Sequence, residues 1–398
     1  MTPGERAGAA SRHAARARRR DRRVYLYSHP VLFALLAVTR RRPVTRLGGT
    51  VLAHSRAAFV DGLTRVRLDR TAEGTTGGAA GRLAGDGLLF DQEGDEHRGT
   101  RRALADALGA DGVTRLRPVW REVLERRLAP LAAGGEVDLV DVAAELAGTT
   151  AAALLALDVD GRELAAAARA AATAGAREHL PGLPRPGARR TARAAAERLN
   201  ALVTSPRPAE GTAGTGPDRR SGDPAASPTG AEQPLGTHGL AAMLAVAAIN
   251  TTVAALPRAA AWCADAGLWA YAETDPGTLT AELLRVTAPT PLLPRVAAAG
   301  GEIDGCPVRG GDRLILVARH AVDAHRRDPC PRDPAPPQTA QLVFGAGPHA
   351  CPGARLARRQ IADALVALAA HRPVVISARV DRRSALPGWA SLIVRAGR

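Results

Sequence analysis

The chain has 398 residues, 46% hydrophobic and 23% charged, an ordinary globular composition with apolar mass for a sizeable core. Its formal charge is +15, and all 54 basic side chains are arginine, because the sequence contains no lysine. The four cysteines form no CxxC pair, which argues against a disulfide framework and fits a reducing cytoplasm; no zinc-finger spacing or aromatic-studded basic sheet points to nucleic acid.

Alanine, leucine and arginine dominate and aromatics are 3%, so a mainly α protein with small β-sheets is expected. Residues 1–22 are basic and read as a disordered tail; residues 23–398 read as one domain. No apolar run long enough for a signal peptide follows the basic start, and VLFALLAV, residues 31–38, is too short to span a bilayer. A soluble, cytoplasmic protein is therefore expected. From Val24 to Phe90, short β-like pieces (TVLAH, TRVRL) alternate with glycine turns. Residues 94–157 turn helical, and residues 160–203 read as alanine-rich helices broken by LPGLPRPG. Residues 205–237 are rich in Pro, Gly, Ser and Thr and read as a flexible loop.

The next stretch, residues 239–267, is apolar nearly all round and reads as a helix through a core. Asn250, Thr251 and Thr252 put polar groups at its middle, and Pro257 is expected to kink it. Buried polar groups need partners, so this segment either distorts locally or faces a ligand. A shorter helix, TLTAELLRVTAP, carries Glu282 and Arg285 on one turn, where a surface ion pair would contribute little. PLLPRV, EIDG and CPVRGGDRLILV read as short strands with turns, and PVVISARV and SLIVRAG as strands near the end.

Between these strands lies FGAGPHACPG, residues 344–353, followed by the helical run ARLARRQIADALVALAAH. Four chemistries compete for Cys351. A buried structural cysteine is common but leaves the three neighbouring glycines unexplained. A zinc site needs about four ligands, and His349 with Cys351 supplies two that lie too close together. A nucleophile needs a base and an orienting group, for which His349 is a weak candidate. A thiolate ligand to haem iron needs its charge stabilised, and a helix N-terminus with bare glycine backbone beside the sulfur does that.

This loop resembles the haem-binding loop of the cytochrome P450 family, F-G-x-G-x-[HR]-x-C-x-G, at every fixed position, including Phe344, Gly345, His349 and Gly353. Three further pieces follow the family's order, and the likeness covers roughly residues 24–398. Glu282 and Arg285 resemble the E-x-x-R pair that holds the haem-side core. Ala247-Ala248-Ile249-Asn250-Thr251-Thr252 resembles the distal-helix motif, whose threonine aids proton delivery during oxygen activation. Asn250 departs from the acid of that motif, and asparagine hydrogen-bonds without titrating. His97 and Arg101 resemble the H-x-x-x-R pair that meets a haem propionate, and Arg295 falls where the family places another propionate-binding arginine. The segment between Arg327 and Leu342 is shorter than in the family, with Arg332 as the one arginine there that could join the Glu–Arg pair.

The resemblance implies a haem-thiolate monooxygenase with haem b, Cys351 on the iron, and Thr251 and Asn250 as catalytic residues. Ala247, Ala248 and Leu292 would line a pocket for an apolar small molecule of secondary metabolism. Electrons would come from a ferredoxin and ferredoxin reductase, docking near Arg355, Arg358 and Arg359. No nucleic acid and no membrane are expected as partners, and a monomer is implied. The alternative is a haem-thiolate enzyme of other chemistry: a peroxygenase, dehydratase or isomerase.

Overall fold

The computed structural model describes residues 3–84, 89, 91–179, 187–204 and 238–397. The segment 205–237, read above as a flexible loop, lies outside the described residues. The described chain opens with α1 (Pro3–Ser28) and α2 (Pro30–Thr39), a hairpin of β1 (Val44–Leu47) and β2 (Thr50–Ala53), then α3 (Arg56–Thr64), β3 (Leu68–Asp69) and α4 (Thr76–Ala84). A helical block follows: α5 (Gly94–Leu108), α6 (Ala110–Ala132), β4 (Glu136–Asp138), α7 (Leu139–Leu154), α8 (Gly161–His179) and α9 (Ala188–Val203). The long α10 (His238–Ala266), α11 (Trp269–Thr274) and α12 (Pro276–Thr287) precede β5 (Leu293–Ala297), β6 (Gly301–Ile303), β7 (Cys306–Val308) and β8 (Arg313–Leu316). The short α13 (Ala318–Ala321) and α14 (Pro337–Gln341) lead to α15 (Ala354–Ala369), β9 (Val374–Val380) and β10 (Trp389–Arg395).

The expected mainly α architecture with small sheets is the one observed. One sheet has the order β1-β2-β8-β5-β3, a second β4-β10-β9, and β6 pairs with β7. TRVRL was expected to be a strand, but only Leu68 joins one: Thr64 belongs to α3, and residues 65–67 turn the chain.

The central helix is α10. It packs against α7, α8, α1 and α15 and buries Leu240 to Ala245, Ile249 and nearly all of Thr252 to Cys263. By length and composition it could cross a membrane, but 67% of its most apolar window is buried against the rest of the protein, so it is the core helix. The helix continues through Pro257 without a break in its residue run.

Of the segment read as a disordered tail, residues 3–22 belong to α1, which buries Ala17, Asp21, Val24, Tyr25 and Ser28, a stripe at helical spacing. Asp21 accepts from Arg258 Nε at 2.8 Å, and both groups are buried. Arg258 also donates to the Tyr25 hydroxyl at 2.6 Å, and Arg16 and Arg20 both reach Asp265. Arginine-rich sequence is compatible with order here because Asp265 of α10 answers Arg16 and Arg20 and Asp328 answers Arg18.

Candidate active site

The cysteine loop is built by backbone geometry. After a 3-10 turn at Leu342–Phe344, Gly345 (φ 79°) and Gly347 (φ 72°) both take left-handed conformations that favour glycine. A side chain at 347 would also meet Thr64 Cγ2 at 3.0 Å. The loop closes through Cys351 N–H to the Phe344 carbonyl at 2.8 Å and Ala350 N–H to the Gly347 carbonyl at 3.1 Å. Gly353 caps α15, and a Cβ there would stand 3.8 Å from Cys351 Sγ. Cys351 is exposed, whereas Cys263 is fully buried.

The surrounding protein pushes the Cys351 thiol up, and the Gly353 N–H, Arg101 and Arg358 offset only part of that. The protein alone thus favours a thiol at this sulfur; a coordinated metal ion would tip it to thiolate. Arg358 is half-buried, donates to Gln341 and lies 4.5 Å over the Phe344 ring.

A cationic cluster gathers beside the loop. His97 on α5 is buried and stacks on His349 with ring centroids 3.8 Å apart, and its Nε2 has no hydrogen-bond partner. Arg101, one turn later, donates to the Ala350 carbonyl at 2.6 Å. Burial and then Arg70 lower the Arg295 guanidinium to about 10. Burial, Arg70, His97, Arg295 and Arg101 together drive His349 down to about 3. His97 is lowered by burial first and then by Arg101, Arg70 and Arg98. These groups discourage one another's charge, so an anion placed among them would relieve all of them.

Arg70 was missed in the sequence. It follows a two-residue strand, and no motif marks it. The antiparallel pairing Leu68↔Ala297 and Asp69↔Val296 ends one residue short of Arg70 and Arg295, and the two couple electrostatically, a signal that exists only in three dimensions.

On α10 the mid-helix polar groups bond chiefly to the helix's own carbonyls. Thr251 Oγ1 donates to the Ala247 carbonyl at 2.8 Å, and Asn250 Nδ2 donates to the Val246 carbonyl at 2.8 Å and the Ala168 carbonyl of α8 at 3.4 Å. Between residues 240 and 263, only Val246, Ala247, Ala248, Asn250 and Thr251 are less than fully buried. They lie at i, i+1, i+2, i+4 and i+5, so the accessible strip is the face carrying the predicted catalytic and pocket residues. Thr252 is buried. Leu292 is half-buried against the small cluster of Tyr25, Phe33, Leu36, Leu52 and Val317.

Glu282 and Arg285 form a closed, buried node. Arg285 Nε and Nη2 donate to the two Glu282 oxygens at 2.9 and 2.8 Å. Glu282 also accepts the N–H groups of Cys330 and Ala335, each at 3.0 Å, and Arg285 donates to the carbonyls of Arg327 and Asp328 at 3.2 and 3.0 Å. Burial alone would raise the Glu282 carboxyl; its hydrogen bonds from Arg285 and the two N–H groups outweigh that and hold it low. Backbone of the short segment takes the place in which the sequence offered Arg332, and Arg332 makes no bond to this pair. An Asp275 cap, accepting from Thr278 N–H at 3.1 Å, starts the helix carrying the node.

Haem b has one metal to bind and two carboxylates to satisfy, and these residues fit it. Cys351 would hold the iron; His97, Arg101, Arg295 and His349, with Arg70 added by the structure, would hold the carboxylates. The unpartnered Nε2 of buried His97 and the mutual suppression of charge are the observations that fit an absent dianion.

No protein-family model matches the chain. It is 35% identical over 112 residues to the 20-oxo-5-O-mycaminosyltylactone 23-monooxygenase of Streptomyces fradiae, covering 27% of each protein. It is 35% identical over 123 residues to the erythromycin C-12 hydroxylase of Saccharopolyspora erythraea, covering 29% of this chain and 31% of that one. These matches span less than a third of either relative's length. A solved mutant of P450 EryK in complex with erythromycin B, from S. erythraea, covers 94% of this chain and 98% of its own at a TM-score of 0.69 and 22% identity. That likeness establishes the fold.

Proposed function

From the premise that the chain has the cytochrome P450 fold and that family's haem loop, we propose that it is a haem-thiolate monooxygenase acting on an apolar small molecule of secondary metabolism. The observation that carries the reading is Cys351, exposed at the mouth of α15 beside the bare backbone of Gly353. The curated relatives named for oxidising erythromycin and 20-oxo-5-O-mycaminosyltylactone support the substrate class.

Bound haem would supply two-electron reduction of dioxygen, one oxygen entering a substrate C–H bond and the other leaving as water with two protons. The chain's own residues do the rest. Gly353 N–H faces the sulfur of Cys351, and the cationic cluster fixes the carboxylate edge of the cofactor. Ala247 and Ala248 keep the accessible strip of α10 low, which leaves room above the cofactor. The Thr251 hydroxyl sits on that strip; its proton rests on the Ala247 carbonyl and is free to turn toward a bound acceptor. Electrons would come from a ferredoxin and its reductase. Arg355 and Arg359 are exposed on α15 for such a partner, while Arg358 is turned toward Phe344 and is the weakest member of that docking group.

Asn250 favours one second reading. Its amide N–H groups are committed to carbonyls and it has no proton to exchange, so peroxide-driven or non-oxygenating haem-thiolate chemistry is the alternative. The carbon monoxide difference spectrum of the reduced protein tests the premise: a strongly red-shifted Soret band is expected, and a band at the position of histidine-ligated haem overturns thiolate ligation. Product formed with reductant and dioxygen, and absent with peroxide alone, supports monooxygenation; the converse supports the alternative.

A further inference from the structure

Helix α2, PVLFALLAVT, carries no charged residue. Phe33 and Leu36 face the core, but Val31, Leu35 and Val38 are 82%, 41% and 75% exposed. Their spacing of i, i+4, i+7 puts them on one stripe facing away from the protein. Leu26 and Tyr27 at the end of α1 and Leu47 on β1 are also exposed, so among the described residues six of the nine exposed large hydrophobics fall within residues 26–47. Clustering of that kind marks an interaction surface, whereas single exposed apolar side chains need no explanation.

Arginines frame the stripe. Arg22 and Arg23 are exposed on α1, and Arg40, Arg41 and Arg42 directly follow α2. Among the described residues, none of Arg22, Arg23, Arg41 and Arg42 pairs with a carboxylate. Burial lowers the Arg40 guanidinium, and Arg22, Arg319, Arg326 and Arg41 lower it further, which shows that several of these cations crowd together. An apolar ridge bordered by crowded, unpaired arginines is complementary to a surface that is apolar inside and anionic outside. The ridge is a helix too short to span a bilayer but able to lie along one.

We propose that α2 and its flanking arginines dock this protein onto an anionic lipid bilayer, with Val31, Leu35 and Val38 entering the acyl boundary and Arg22, Arg23, Arg41 and Arg42 meeting lipid phosphates. This peripheral contact is independent of the catalytic reading. It goes beyond the expectation of no membrane partner, which rested on the absence of a spanning segment.

The test is cosedimentation of the haem-loaded full chain with vesicles of neutral phosphatidylcholine and of phosphatidylcholine mixed with phosphatidylglycerol. Binding to the anionic vesicles, weakened by salt, is expected. Val31→Ser/Leu35→Ser/Val38→Ser should weaken it at least tenfold, and each of Arg41→Gln and Arg42→Gln about fivefold. These positions are exposed, so the carbon monoxide difference spectrum of each variant should be unchanged, which separates lost docking from lost folding. Equal binding by the triple serine variant would overturn the proposal in favour of charge-only attraction, and no binding by the parent chain would overturn it outright. A concentration-dependent dimer that the serine variant abolishes, without vesicle binding, would instead assign the stripe to self-association.

Discussion

The Glu282–Arg285 node and the cluster of Arg70, His97, Arg101, Arg295 and His349 are both charged and largely withdrawn from water, yet they are assembled on opposite rules. In the node, each Glu282 oxygen accepts from one guanidinium nitrogen and one backbone N–H, and each nitrogen of Arg285 has an acceptor. Charge is balanced within the protein. In the cluster, basic groups suppress one another, the exposed Glu93 pairs with Arg70 at 3.3 Å, and a buried ring nitrogen of His97 has no partner among the described residues. A closed site of charge serves the fold; an open one, held at a cost to the fold, serves a ligand.

Removing one member of the closed node is the harshest way to break this comparison. Glu282→Gln should leave Arg285, 0% exposed, without its counter-charge, and lower stability by roughly 3–5 kcal/mol with or without haem. Denaturant unfolding measures it, and a loss confined to the haem-loaded protein would contradict the structural role. Asp21→Asn belongs to the same class, because Arg258 at 1% exposure depends on it. A loss of comparable size is expected, and deletion of residues 1–22 should be at least as damaging; a neutral deletion would restore the reading of that segment as a tail.

The cationic cluster should answer differently in the two states. Arg70→Ala and Arg295→Met each remove a charge that neighbouring basic groups repel, while Arg70 also gives up its ion pair with the exposed Glu93, so the haem-free protein should change little. As proposed holders of the haem carboxylates, each would lose a charge-assisted hydrogen bond worth about 1.5–3 kcal/mol, so haem retention should fall roughly 10- to 100-fold. Transfer of haem to an acceptor apoprotein reads the second effect and thermal unfolding of the apoprotein the first. Parallel destabilisation of both states would make the cluster structural.

Sequence carried the parts of this site that are local. The loop from Phe344 to Gly353 states its own geometry through its glycines, and His97 with Arg101 sits at a spacing that only one helix turn is needed to interpret. Arg70 could not be found that way, because the β3–β5 pairing and not a motif brings it near Arg295. The closure of Glu282 by N–H groups of Cys330 and Ala335 was equally hidden, since backbone donors carry no residue signature. The basic segment read as a tail, described from Pro3 on, is a different case. The stripe of Ala17, Asp21, Val24, Tyr25 and Ser28 was present in the sequence, but the arginine-rich composition outweighed it, and the anions that tame those arginines lie partly in α10, more than two hundred residues away.

A third charged region gives the finest test, because it can be made cationic by pH. His54 Nδ1 faces His320 Nδ1 at 2.9 Å, His54 Nε2 meets Thr39 Oγ1 at 3.0 Å, and the His325 ring lies 4.7 Å from that of His320. Two facing ring nitrogens at that distance require one to donate and the other to accept, so both cannot be protonated. Burial takes His54 to about 4; burial, then His325, His54, Arg319 and Arg40, takes His320 to about 2; burial, then Arg40, Arg326 and Arg319, opposed by Asp323, takes His325 to about 4. The folded pKa values lie below the unfolded value of about 6.5, so the unfolded chain binds more protons in that interval. Stability from this cluster is complete above about pH 6.5 and is lost as pH falls through the folded values. Each imidazole contributes a slope of at most about 1.4 kcal/mol per pH unit. His320→Gln should flatten the urea midpoint between pH 6.5 and 4 while leaving the carbon monoxide spectrum unchanged at neutral pH. An unaltered slope would mean that the imidazoles already share protons in the folded state, and that this region is closed in the manner of the Glu282–Arg285 node.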